Sequence, residues 1–150
     1  MSGIGAAVLV AALVVTGAAA WWLRTRNGAV RAPMSEHAQA HLPVFARLGV
    51  EPAGADLTVV QFSTAFCGPC RTTKARLQHL QASRPGLAYV HVDAESHLDE
   101  VRELDVRRTP TLFYLGRDGR LVGRSSGAPR PDELTALVDA HAGAGLEHSP

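Results

Sequence analysis

Apolar positions are distributed unevenly along the chain, first in one long N-terminal run and then in short periodic stretches. Residues 3–23 carry no charged side chain, and about twenty apolar residues are enough to cross a bilayer as a helix. Trp21 and Trp22 lie at the end of this run, where interfacial aromatic residues occur, and arginines follow them. The pattern predicts one N-terminal transmembrane helix, which forms an anchor at residues 1–26.

A cleaved signal peptide is the alternative interpretation of this run, because Ala18-Ala19-Ala20 resembles a cleavage site. No Lys or Arg precedes the run, however, and this favours an uncleaved anchor. Arg24, Arg26 and Arg31 follow it instead. By the positive-inside rule, these arginines place the rest of the chain in the cytoplasm. We therefore predict a single-pass protein of the cell membrane with a cytoplasmic domain, and an extracytoplasmic domain is the alternative.

Residues 27–52 are predicted to form a juxtamembrane connector together with the first strand and helix of the soluble part. A short strand is predicted at residues 28–32, and Ser35 can cap a helix that runs towards Leu48. Pro43 falls inside that helix and should break or kink it, because proline lacks a backbone N–H.

From residue 53 to residue 142, the hydrophobic period switches repeatedly between that of a strand and that of a helix. One predicted helix carries Leu98, Val101 and Leu104 on a single face. Asp118-Gly119 is a hairpin signal between the last two strands. The predicted strands are residues 57–62, 87–92, 111–115 and 120–124, and the predicted helices are residues 70–82, 96–104 and a last one from Pro131.

This order of elements predicts an α/β domain at residues 53–142, with a central mixed β-sheet flanked by helices on both faces. Residues 143–150 are predicted to be a flexible tail. The length of 150 residues suits one such domain with an appendage. The net charge of +1 and the lack of a basic run interleaved with aromatic residues argue against a nucleic-acid partner.

The chain has only two cysteines, Cys67 and Cys70, at the junction between a predicted strand and a predicted helix. Two thiols argue against a disulfide framework and a four-thiolate zinc site, and His37 and His41 lack a third ligand, so no metal is predicted. A Cys-x-x-Cys pair can close a small disulfide ring, and a helix N-terminus favours the thiolate of its first cysteine. Because the thiolate is the attacking species in thiol–disulfide exchange, the pattern predicts that chemistry.

The order of elements and the run Cys67-Gly68-Pro69-Cys70 resemble the thioredoxin family over residues 57–142. Thr109-Pro110, Asp118-Gly119 and Gly127 match further positions of that family. The resemblance implies a thioredoxin-like fold preceded by one transmembrane helix. In this respect the chain is similar to membrane-anchored thioredoxin-like proteins of bacteria.

The resemblance also implies roles for individual residues. Cys67, exposed at the helix start, would attack the substrate, and the buried Cys70 would resolve the mixed disulfide. Thr109 would face the thiols, and Pro110, in the cis form, would present a backbone groove to a substrate strand. The active-site loop would be shaped by Phe66, Gly68 and Pro69.

Four positions depart from the family pattern. Gln61 stands where thioredoxins keep a buried Asp that helps to deprotonate the resolving cysteine, and Tyr89 stands where they keep the Lys beside that Asp. Phe66 replaces a Trp, and Ala75 replaces a helix-kinking Pro. Since Gln cannot take up a proton, proton transfer would need water or another group, and His91 is a candidate for that group. Gln61, Tyr89 and His91 are therefore predicted to form the proton-transfer environment.

The sequence thus predicts a membrane-anchored thiol–disulfide oxidoreductase that exchanges a Cys67/Cys70 dithiol with protein disulfides through a mixed disulfide. It would need no cofactor beyond the redox-active Cys67–Cys70 disulfide, and a thioredoxin reductase or a membrane thiol carrier would supply its electrons. One alternative is a tethered binding module with little or no turnover. Another is a metal-handling protein that uses the two thiols.

Overall fold

The computed structural model describes residues 3–26, 28–30 and 42–143. Helix α1 spans Gly3–Arg26. Its segment Gly5–Leu23 is long and apolar enough to cross a membrane, and none of it is buried against the rest of the molecule. A signal sequence near the N-terminus would satisfy the same criteria, so α1 is a candidate membrane span.

The connector differs from the prediction at residues 28–30. Residues 28–30 form a turn and irregular backbone instead of the start of a strand. Helix α2 spans Leu42–Arg47 and carries Pro43 in its first turn, where a missing N–H costs no helical hydrogen bond. The predicted break or kink at Pro43 concerns a helix that comes from Ser35, and because residues 31–41 lie outside the described residues it stays a prediction. The predicted helix start at Ser35 lies outside the described residues.

The described soluble part contains four strands and four α-helices. The strands are β1 (Leu57–Ser63), β2 (Leu87–Asp93), β3 (Thr111–Gly116) and β4 (Leu121–Ser126). The remaining helices are α3 (Gly68–Ser83), α4 (Leu98–Glu103) and α5 (Pro131–Ala142), and a 3-10 turn lies at Pro52–Gly54. All four predicted strands of the domain are present, with bounds that differ by one or two residues.

The four strands form one mixed sheet in the order β2-β1-β3-β4. Strands β1 and β2 are parallel, whereas β3 is antiparallel to both of its neighbours. Asp118 and Gly119 turn the β3–β4 hairpin, and Gly119 has a φ of 76°, a conformation that glycine adopts without steric cost. The strand order places β1, which leads directly into the cysteine pair, in the interior of the sheet.

Helices cover both faces of the sheet, as predicted. On one face, Val44 and Phe45 of α2 and Leu104, which follows α4, pack against Phe62 and Phe113. On the other face, α3 and α5 pack over β1 and β3. The buried residues of this second face are Leu57, Val59, Leu77, Leu80, Leu87, Leu112, Tyr114, Leu134, Val138 and Ala142.

Leu98 does not share the buried face that the sequence predicted for it. Its side chain is 50% exposed, whereas Leu104 is 1% exposed. The helix begins at Leu98 and has only six residues, so only its C-terminal end reaches the sheet. Val101, which lies between them in the sequence, is partly buried and packs against the same core cluster as Leu104.

Candidate active site

The loop between β1 and α3 places the two cysteines at the start of a long helix. Cys67 is the N-cap residue of α3, and its Sγ accepts a hydrogen bond from the backbone N–H of Cys70, with 3.2 Å between N and Sγ. Pro69 lies in the first turn, where no acidic residue occurs. Negative charge on a capping atom is stabilised by the unpaired N–H groups and by the dipole of the helix. The reduced Cys67 sulfur is therefore favoured as a thiolate.

The structure contains the oxidised pair, with a disulfide between Cys67 and Cys70 and 5.2 Å between their Cα atoms. Cys67 is 9% exposed and Cys70 is 4% exposed. Cys67 is thus the more accessible of the two but less exposed than expected, because its side chain folds back over the helix start to cap it. Phe66, in contrast, projects into solvent with 98% of its surface exposed.

The loop that ends in Thr109 and Pro110 lies against the loop that precedes the cysteines. The Thr109–Pro110 peptide bond is cis, as the resemblance implied. Thr109 Oγ1 lies 3.4 Å from Thr64 Oγ1, and the Thr64 carbonyl accepts a hydrogen bond from the N–H of Cys67. The two predicted parts of the site are therefore adjacent, although they are about forty residues apart in the sequence.

Gln61 is fully buried on the face of β1 that α3 covers. Its Nε2 donates a hydrogen bond to the Cys70 carbonyl at 3.0 Å, and its Oε1 accepts one from the Tyr89 hydroxyl at 3.0 Å. Burial raises the pKa of Tyr89 to about 12, so the phenol keeps its proton and remains a donor at neutral pH. Both ends of the Gln61 amide are occupied, and neither can take up a proton.

His91 lies on the same face of β2 as Tyr89 but closer to the site, and its side chain is exposed. A hydrogen bond joins its Nε2 to Ser63 Oγ. The exposed ring is still partly desolvated by its neighbours, and this partial desolvation and the nearby Lys74 lower the pKa of His91, while Asp93 opposes them. His91 is therefore neutral at pH 7 and able to accept a proton.

A surface cavity of about 260 Å³ connects this histidine with the cysteines. Ser63, His91, Cys67 and Cys70 all line it. Four charged side chains of both signs line it as well, namely Arg71, Lys74, Asp93 and Glu95. The arrangement places the neutral imidazole and both cysteines along one surface cavity.

Ser63 is the site residue that sequence reasoning missed. It lies two residues after Gln61 and therefore on the same face of the strand. Its position at the end of a buried strand, just before the cysteine loop, was the available signal. What the sequence did not show was which histidine would lie beside it.

No group of three or more His, Cys, Asp or Glu residues within residues 3–26, 28–30 and 42–143 is placed to hold a metal ion. His37 and His41 lie outside this part of the chain. The metal-handling alternative therefore has no ligand set among the described residues beyond the two sulfurs, which are bonded to each other.

Comparison with known proteins gives a consistent result. The Thioredoxin family model matches residues 50–140. Thioredoxin H4-1 of Oryza sativa subsp. japonica is 30% identical over 87 residues, which are 56% of this chain and 66% of that protein. Thioredoxin of Pongo abelii is 31% identical over 90 residues, which are 60% of this chain and 84% of that protein.

Solved structures show the same likeness. The oxidised mitochondrial thioredoxin 3 of Saccharomyces cerevisiae is 29% identical and superposes with a TM-score of 0.54, covering 66% of this chain and 89% of that one. The thioredoxin of Fasciola hepatica is 28% identical with a TM-score of 0.55, covering 65% and 90%. Both matches leave about a third of this chain outside the common fold.

Proposed function

The chain belongs to the thioredoxin family of thiol–disulfide oxidoreductases, and from this premise we propose that it is a membrane-anchored enzyme that exchanges a Cys67/Cys70 dithiol with protein disulfides. The observation that carries the proposal is the cysteine pair at the start of α3, with Cys67 as the N-cap and Cys70 one turn later. A pair of this kind forms and breaks its disulfide without displacing the helix.

The exchange proceeds in two steps. The Cys67 thiolate attacks one sulfur of a substrate disulfide, a bond forms between enzyme and substrate, and the other substrate sulfur leaves as a thiolate and takes up a proton. The Cys70 thiol then loses its proton and attacks the Cys67 sulfur, which releases the second substrate thiolate. The substrate gains two electrons, and the enzyme is left with the Cys67–Cys70 disulfide.

The second step requires a proton acceptor for Cys70, and this role falls to His91. Gln61 offers no free site, because its amide bridges Tyr89 and the Cys70 carbonyl. His91 shares a solvent-filled cavity with Cys70 and is held by Ser63. The proton therefore leaves towards the surface instead of towards the buried side of the sheet.

Substrates bind beside the cysteines. The cis peptide bond between Thr109 and Pro110 forms the turn that leads into β3. Because the Pro110 carbonyl already accepts a hydrogen bond from Gly127, the Thr109 backbone is the part that pairs with an extended substrate segment. Phe66 supplies an apolar contact next to Cys67, because its side chain is almost entirely exposed. These residues favour protein substrates in which the disulfide lies in an extended segment and next to an apolar side chain.

The anchor and the reductant complete the proposal. Helix α1 spans the cell membrane, and the arginines that follow the apolar run keep the domain in the cytoplasm. The oxidised enzyme is returned to the dithiol by a thioredoxin reductase or by a membrane thiol carrier. Protease added to intact cells should then leave the domain intact, whereas digestion would indicate the extracytoplasmic orientation.

An insulin-reduction assay tests the activity. Purified chain with a dithiol donor should reduce insulin at a rate that Cys67→Ser abolishes, and the control variant His79→Gln, at an exposed position of α3, should keep the full rate. Absence of turnover in the unmodified chain, with insulin still bound, would favour the alternative of a tethered binding module. Equal turnover in Cys67→Ser would contradict the assignment of the nucleophile.

A further inference from the structure

The segment that follows α1 is docked on the domain. The N–H of Gly28 donates a hydrogen bond to the Ser126 carbonyl, with 2.9 Å between N and O. Gly28 is buried and has a φ of 81°, and a Cβ at this position would lie 2.0 Å from the Ala128 carbonyl oxygen. Only glycine fits this backbone. Val30 then packs against the buried cluster that α3 and α5 form with the sheet.

The docking point is next to the active site. Ser126 ends β4, and the N–H of the following residue, Gly127, donates a hydrogen bond to the Pro110 carbonyl at 2.7 Å. Gly28 is therefore joined to the cis-proline loop through two consecutive backbone hydrogen bonds. Thr109 in turn lies against the loop that carries Cys67.

The docking point is also close to the membrane if α1 spans it. Trp22 lies near the end of the apolar segment, and α1 ends at Arg26, two residues before Gly28. Residues 23–26 are helical, and even fully extended backbone at residues 27 and 28 would give a distance of at most about 13 Å from Trp22 to Gly28. Gly28 therefore lies within that distance of the bilayer interface at Trp22. A docked connector of this length leaves the domain little freedom to move away from the surface.

We propose that the docked connector at Gly28 holds the active-site end of the domain at the membrane surface, so that the preferred redox partner is a membrane-resident protein whose cysteine pair lies close to the bilayer. This inference rests on the proposed anchored exchange activity. It differs from the usual role of a tether, because a flexible linker would let the domain reach soluble partners at any distance from the membrane.

The test uses the full chain reconstituted in phosphatidylcholine vesicles that contain a disulfide-bonded peptide coupled to phosphatidylethanolamine. The peptide is attached through a spacer of a few atoms in one set of vesicles and through a long polyethylene glycol spacer in the other. The unmodified chain should reduce the short-spacer peptide about fivefold faster than the long-spacer peptide, because its site samples mainly the layer next to the bilayer.

Two changes should remove this preference while insulin reduction stays within about twofold of the unmodified rate. The first inserts a Gly/Ser segment of about twelve residues, or about 40 Å when extended, between Arg26 and Asn27. Its control carries the same insertion after Gly143. The second is Gly28→Ala, which cannot dock. Its control, Gly49→Ala, also lies at a positive φ of 70° but has open space around the added Cβ.

The outcomes separate the two proposals. Loss of the short-spacer preference in both variants, with both controls unaffected, supports the inference. Equal rates on the two spacers in the unmodified chain, or a preference that survives the insertion, would overturn it while leaving the exchange activity in place. Failure of the unmodified chain to reduce insulin would instead reject the proposed function.

Discussion

Two polar pairs connect β1 and β2 behind the cysteine ring, and they differ in their access to solvent. Gln61 and His91 are partners in the parallel register of the two strands. Gln61 is fully buried and bonded to the partly buried Tyr89, whereas the buried Ser63 is bonded to His91, whose exposed side chain lines the cavity. We refer to these as the sealed pair, Gln61–Tyr89, and the open pair, Ser63–His91.

The comparison shows how adjacent positions of one strand pair can divide structural and chemical tasks. In the sealed pair the Gln61 amide nitrogen, the Gln61 amide oxygen and the Tyr89 hydroxyl each have a hydrogen-bond partner. This arrangement stabilises the fold without offering a site that can take up a proton. In the open pair the neutral imidazole of His91 lines the same surface cavity as the two cysteines. We therefore expect mutations of the open pair to change turnover, and mutations of the sealed pair to change stability.

The largest effect is expected at the open pair. His91→Gln should lower insulin turnover by about a hundredfold, a typical contribution of a positioned proton acceptor. Its free energy of unfolding should change by less than about 0.5 kcal/mol, because the side chain is exposed. Turnover is measured under saturating donor, and stability by urea unfolding. A large loss of stability with unchanged turnover would reverse the comparison.

The pH profile sharpens this prediction. Partial desolvation and Lys74 lower the pKa of His91, so the imidazole is neutral at pH 7 and becomes protonated as the pH falls. Turnover of the unmodified chain should therefore decrease more steeply on the acidic side than that of His91→Gln, in which only protonation of the Cys67 thiolate lowers the rate. Equally steep acidic limbs in the two proteins would contradict the role of His91 as the proton acceptor.

The next effect is expected at the sealed pair. Gln61→Leu should lower the free energy of unfolding by about 2 kcal/mol, because the Tyr89 hydroxyl and the Cys70 carbonyl both lose a buried partner. Gln78→Leu, at an exposed position of α3, is the control and should change stability by less than about 0.5 kcal/mol. Equal stability of the two variants would mean that the buried amide contributes nothing.

The smallest effect is expected when only one hydroxyl is removed. Tyr89→Phe should lower the free energy of unfolding by about 1 kcal/mol, the typical contribution of one hydrogen bond. Tyr114→Phe is the matched control, because its hydroxyl bonds to Ser125 at 3.1 Å and neither residue lines the cavity beside His91. Both variants should keep the pH profile of the unmodified chain. A shifted profile in Tyr89→Phe alone would give the sealed pair a chemical role.

Much of the fold could be predicted because its signals are local. The strands of the domain follow from apolar and β-branched runs, and the helices over 70–82 and from Pro131 follow from spacing and end signals. The cysteine pair at the start of α3 could be predicted for the same reason, since it lies between a strand signal and a helix signal. Thr109-Pro110 required the resemblance, because nothing local links it to the cysteines.

The remaining features depend on contacts that a single sequence does not specify. The pairing of Gln61 with Tyr89 and of Ser63 with His91 follows from the register of β1 and β2. The hydrophobic pattern tells which face of the sheet each side chain lies on, but not which residue of the neighbouring strand lies beside it. The docking of Gly28 depends on a backbone conformation and one hydrogen bond, so the segment was predicted as a strand. The limited exposure of Cys67 arises from its capping bond, which composition does not reveal.

The central claim is that Cys67 attacks the substrate disulfide and that Cys70 resolves the resulting mixed disulfide. The most direct measurement is the mass of the covalent complex formed when insulin is incubated with Cys70→Ser. We expect a stable mixed disulfide between Cys67 and insulin that a reducing agent cleaves, and no comparable complex with Cys67→Ser. Formation of the same complex by Cys67→Ser through Cys70, or failure of both variants to form one, would contradict the account.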